Sequence, residues 1–84
     1  MEVLIEMPLE RYDTFVNKCH PLFREYHLLT NASFIRRRKD DHFERAMQIF
    51  CDLDQARRLR DLAIQIYPAA VPDIEKAISA PRDS

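Results

Sequence analysis

Phe43-Glu44-Arg45-Ala46-Met47-Gln48-Ile49-Phe50-Cys51, residues 43–51, is the stretch whose period decides the architecture. Read as a strand, its side chains alternate between two faces, and Met47 and Ile49 share one as core candidates. The polar run Lys39-Asp40-Asp41-His42 then becomes the turn of a hairpin whose other arm is residues 34–38. Read as a helix, Phe43, Ala46, Met47 and Phe50 fall on one stripe with Asp40 or Asp41 as cap, and the chain becomes all-α. The strand is favoured, because Gln48-Ile49-Phe50-Cys51 runs straight into a much clearer helix start.

That start is Asp52-Leu53-Asp54-Gln55. Asp52 can accept from the free N–H groups of the first turn, and Gln55 three residues on can reach back, as in a capping box. The helix that follows places Leu53, Ala56, Leu59, Leu62, Ala63 and Ile66 inward and Arg57, Arg58, Arg60 and Asp61 outward. Asp54 and Arg58 are spaced for an i,i+4 ion pair. Pro68 ends the helix, and a short last helix starts at Pro72 with Ile74, Ala77 and Ile78 facing inward.

Upstream of the hairpin, residues 2–7 read as a strand with Val3, Ile5 and Met7 on one face and Glu2, Leu4 and Glu6 on the other. Pro8 suits the first position of a helix, and Glu10 favours its dipole. Leu9, Tyr12, Phe15, Val16 and Cys19 form a helical stripe, which Pro21 is expected to break or kink near His20. Leu22, Phe23 and Tyr26 continue in a second helical segment to about His27. Thr30-Asn31-Ala32-Ser33 reads as a turn, with Asn31 at positive φ.

The order is strand, helix, strand, strand, helix, short helix. It predicts a single α+β domain over residues 1–80, a small three-stranded antiparallel-type sheet with helices on one face, and a frayed tail at 81–84. This order resembles most of a ferredoxin-like split βαβ arrangement without its last strand. That is a likeness of fold and carries no function.

Composition narrows the chemistry. There is no glycine among the 84 residues, where about six are usual. Backbone that must take positive φ or closely approach a ligand is thereby disfavoured. Phosphate-cradling loops, dinucleotide fingerprints, nucleophile elbows and the standard calcium loop are all missing. Net charge is −1, from 13 basic and 14 acidic residues, so no global field draws nucleic acid or an anionic membrane. The charge is uneven: residues 36–60 carry eight basic and five acidic groups. No apolar run approaches a membrane span, and two cysteines are too few for a disulfide framework. A cytoplasmic protein with reduced thiols and no membrane contact is expected.

Each candidate chemistry has a plainer competitor. Arg36, Arg37, Arg38, Lys39 and Arg45 could bind nucleic-acid phosphates, with Phe34 or Phe43 stacking on a base. Strand alternation instead sends Arg36 and Arg38 one way and Arg37 and Lys39 the other, where Glu2 and Glu6 could pair with Arg36 and Arg38. Arg57, Arg58 and Arg60 could extend the basic surface or be a solvated helix face. Cys19, His20 and His27, with Cys51 or His42, suit zinc by type, but their spacing matches no zinc module. Cys19 and Cys51 are the only thiol nucleophiles, and adjacent Asp40 and Asp41 read as turn chemistry.

The expectation is a non-enzymatic protein-interaction or regulatory module, without cofactor or metal, that self-associates or docks a protein partner through the open face of its sheet. Leu4, Phe34, Ala46 and Phe50 are the interface candidates beside Glu2 and Glu6. The rival is an RNA- or DNA-binding module that uses the basic ribbon.

Overall fold

Residues 42–52 form the central strand of the molecule. The structure, a computed structural model, describes the backbone of residues 1–25 and 31–81, and their side chains apart from those of residues 21–25. The elements are β1 (Glu2–Pro8), α1 (Leu9–Glu25), β2 (Asn31–Lys39), β3 (His42–Asp52), α2 (Leu53–Ile66), a 3₁₀ turn (Pro68–Ala70) and α3 (Val71–Ser79). The sheet order is β1-β3-β2, antiparallel throughout. The all-α alternative is thereby excluded. Between β3 and α2 there is no spare residue, so the capping box at Asp52 turns strand directly into helix. The Gln55 N–H donates to Asp52 Oδ1 at 2.8 Å, and the Asp52 N–H donates back to Gln55 Oε1 at 3.2 Å.

Directly opposed residues of an antiparallel pair share a face. Val3, Ile5 and Met7 of β1 stand opposite Cys51, Ile49 and Met47 of β3. All six lie on the helix-covered side; Met47 is half-buried and the other five are buried. Phe15 and Cys19 of α1, Ala56, Leu59, Leu62 and Ala63 of α2, and Ile74 and Ala77 of α3 complete the core. Leu53 and Ile66 pack at its margin. The inward positions recur at helical spacing, which is why α1 and α2 lie down on the sheet. Phe15 stacks on Tyr67 with ring centroids 6.3 Å apart, and Arg11 of α1 donates to Asp73 of α3 at 2.6 Å.

The two sheet edges differ. α3 packs along β1 and against α2, so the β1 edge is covered. β2 packs almost entirely on β3, and its nine residues form the other edge. The molecule measures 39 × 30 × 19 Å, one sheet and one helical layer deep.

Several local expectations are corrected. Pro8 ends β1 instead of opening the helix, which an edge strand tolerates. α1 runs unbroken through Pro21 to Glu25, with Phe15 and Cys19 holding it to the core. Asn31, Ala32 and Ser33 belong to β2 and not to a turn; Thr30, Tyr26 and His27 lie outside the described residues. The turn is the two-residue loop Asp40-Asp41, because Lys39 and His42 are already paired. The positive φ expected at Asn31 is found at Asp40, at 55°, alone among the described residues. A two-residue hairpin needs that conformation at its first residue, and in a chain without glycine an aspartate takes it. Asp54 meets Arg57, at 4.0 Å, and not Arg58. The sheet alone does not establish the ferredoxin-like arrangement, since after α2 the described chain has the 3₁₀ turn and α3.

Candidate functional site

The β2–β3 hairpin sorts its charges by face. Counting outward from the Asp40-Asp41 loop, Arg37 falls opposite Glu44, Arg36 opposite Arg45 and Arg38 opposite Phe43. Arg37 and Lys39 therefore share the open face of the sheet with Glu44, Gln48 and Glu6. There the Arg37 Nε donates to Glu44 Oε1 at 2.6 Å, and its Nη1 reaches Glu6 Oε2 at 3.4 Å. Lys39 Nζ lies 3.8 Å from Glu44 Oε2, and Gln48 Nε2 donates to Glu6 Oε1 at 3.0 Å. The network ties all three strands. The hydrogen bond from Arg37 holds the Glu44 carboxyl below the usual carboxylate range, with help from the positive charges of Arg37, Lys39 and His42. The expected pairing of Glu2 and Glu6 with Arg36 and Arg38 is thus corrected: Glu6 meets Arg37, and Arg36 and Arg38 point the other way.

On that other face stand Phe34, Arg36 and Arg38 from β2 and Met47, Arg45 and Phe43 from β3. This is the outer part of the helix side of the sheet, beyond Met47, and the described helices leave its rings open: Phe34 is 53% and Phe43 62% exposed. Arg36, Arg38 and Arg45 are exposed as well. The Arg36 guanidinium sits 5.5 Å from the centroid of the Phe43 ring. Among the described residues no carboxylate comes within ion-pair distance of Arg36, Arg38 or Arg45.

The four interface candidates divide. Leu4 and Phe50 are directly opposed on the open face, with Phe50 42% exposed. Ala46 lies on that face but is fully buried within its own chain, while Phe34 stands on the opposite face. Ile35, opposite Ala46, is the half-buried apolar residue that sequence reasoning passed over. The signal was present in the alternation of residues 31–39, but the placing of a turn at Asn31 obscured it. α3 borders the open face, where Leu4, Glu6, Arg37, Asp73, Lys76 and Ala77 line a shallow depression of 340 Å³.

The remaining candidates do not converge. Cys19 and Cys51 are free and buried, and burial raises both thiols, Cys51 to about 11 with the Asp52 carboxylate adding to the effect. Both are therefore protonated at neutral pH. Among the described residues no three His, Cys, Asp or Glu side chains cluster as metal ligands; His27 lies outside them. Of the three α2 arginines, Arg57 meets Asp54 and Arg60 meets Asp61 and Glu75, while Arg58 is exposed. No helix among the described residues is long and apolar enough to cross a membrane. Compared with known proteins, the chain matches no protein family, no curated protein and no solved structure.

Proposed function

We propose that this chain is a protein-interaction module that self-associates through its sheet, a second copy adding along β2. The observation that carries this reading is the asymmetry of the edges. β1 is covered by α3, whereas among the described residues the nine of β2 are hydrogen-bonded to β3 on one side only and carry no helix on the other. A long free edge is a template for another strand. The open face itself is less suited to be the primary contact, because its charges already satisfy one another through Arg37, Glu6, Glu44 and Lys39.

Charge selects the direction and register. The first five residues of β2 are uncharged and the last four are all cations. Parallel self-pairing would stack cation on cation. Antiparallel pairing about Ile35 sets Phe34 opposite the second copy's Arg36, and Ser33, Ala32 and Asn31 opposite its Arg37, Arg38 and Lys39. No cation then faces a cation, which is the arrangement that avoids the like-charge penalty. The two open faces become one continuous face carrying Leu4, Ile35 and Phe50 of each copy, which adds burial that an 84-residue monomer lacks.

Size-exclusion chromatography with light scattering tests this. The wild type is expected to run as a concentration-dependent dimer. Ile35→Lys, which sets two ammonium groups face to face on the two-fold axis, should weaken it by about tenfold. A strict monomer at the highest attainable concentration ends the proposal.

A further inference from the structure

We infer that the helix-side face of the β2–β3 hairpin is a binding surface for single-stranded nucleic acid, formed by Arg36, Arg38 and Arg45 with Phe34 and Phe43. It lies within one chain and stands independently of self-association. The argument rests on a contrast inside one hairpin. On the open face every hairpin arginine or lysine meets a carboxylate; on this face none does among the described residues. Arg36 stands directly opposite Arg45, and like charges so placed repel across a sheet. Arg38 is the next residue along the same face of β2. Three exposed guanidinium groups thus crowd one surface with no carboxylate partner among the described residues. An external anion relieves that repulsion, and guanidinium groups match phosphate oxygens in geometry as well as charge.

The aromatic residues narrow the class of anion. Phe34 and Phe43 flank the cations, the first along β2 and the second across from Arg38. Large exposed rings at 53% and 62% are not explained by the core. Alternate residues on one strand face are roughly 6–7 Å apart, so rings and cations repeat on the scale of successive nucleotides in an extended strand. Arg36 already lies over the Phe43 ring at 5.5 Å, holding the guanidinium where it can serve a phosphate while the outer ring face receives a base. A duplex hides its base faces, so a single strand fits this surface and a duplex does not. Because Arg37 and Lys39 are engaged by Glu44 and Glu6, they take no part.

Fluorescence anisotropy with short labelled single-stranded RNA and DNA oligonucleotides is the test, with far-UV circular dichroism confirming that each variant folds. Wild type should bind with a log–log salt slope of about −2, from three phosphates at about 0.7 each. Replacing Arg36, Arg38 and Arg45 together by alanine should weaken binding by about tenfold or more and flatten that slope. Phe34→Leu and Phe43→Leu keep apolar bulk but lose the ring, and each should weaken binding by about fivefold. Arg37→Ala should leave affinity within about twofold. The inference is overturned if the wild type does not bind, or if the triple variant binds as well as wild type. It also fails if Arg37→Ala is as damaging, if a duplex of the same sequence binds more tightly, or if the leucine variants match wild type, which would mark a surface for anions in general.

Discussion

Asp40 carries the backbone conformation that glycine usually supplies, at φ 55° in the first position of a two-residue loop. A β-branched residue there meets a steric penalty of about 1–2 kcal/mol, so Asp40→Val should lower the urea midpoint accordingly. Asp40→Gly should raise stability by up to about 1 kcal/mol. The opposite order would show that the loop has another geometry. The two thiols give a second residue-level expectation. Burial raises Cys51 from near 9 to about 11, and Cys19 in the same direction. Between those values the unfolded chain has lost a proton that the native state keeps, so stability should fall as pH rises past 9 and level off above about 11. Cys19→Ala with Cys51→Ala should remove that slope, whatever its effect on absolute stability. Glu44 acts with the opposite sign. Its depressed value means a contribution present above the ordinary carboxylate pKa and lost as pH falls through the lowered one. An NMR titration of its carboxyl in Arg37→Leu should return it toward the ordinary value.

The best-read element was α2, because its start is written in adjacent residues: Asp52 and Gln55 satisfy each other's backbone without help from the rest of the fold. Asp52→Ala should cost about 1 kcal/mol in chemical denaturation; no change would mean that the strand, and not the cap, starts the helix. The hairpin was legible in its existence but not in its faces. Alternation correctly separated Arg36 and Arg38 from Arg37 and Lys39. Reading the turn as the four residues 39–42 still gives the observed register, with Arg38 opposite Phe43. What decides the pairing is that Met47 on the core face puts Phe34, Arg36 and Arg38 on the helix side and leaves Arg37 beside Glu6. Pro21 shows the reverse failure. A local rule predicts a break or a kink, and the break does not occur: α1 continues, with Phe15 and Cys19 upstream buried against the sheet. Ala46 was assigned to the open surface by period alone. Cross-strand neighbours bury a side chain that small, and period does not report it.

At the scale of the molecule, one sheet has two unlike edges and two unlike faces. α3 covers β1, the Arg37–Glu6–Glu44 network pairs charges on the open face, and among the described residues the helix layer stops short of β2. The two proposed contacts use the backbone of β2 and the arginine–phenylalanine surface beside it. Neither needs a ligand-gripping loop, which accords with a chain that has no glycine to build one. Amide hydrogen exchange along β2, followed by NMR across a range of protein concentrations, tests the edge most directly. In dilute solution protection should alternate, since only every second N–H points toward β3. At high concentration the outward set should become protected as well. Outward amides that exchange at unstructured rates at every concentration would contradict the claim that β2 is the edge on which this protein assembles.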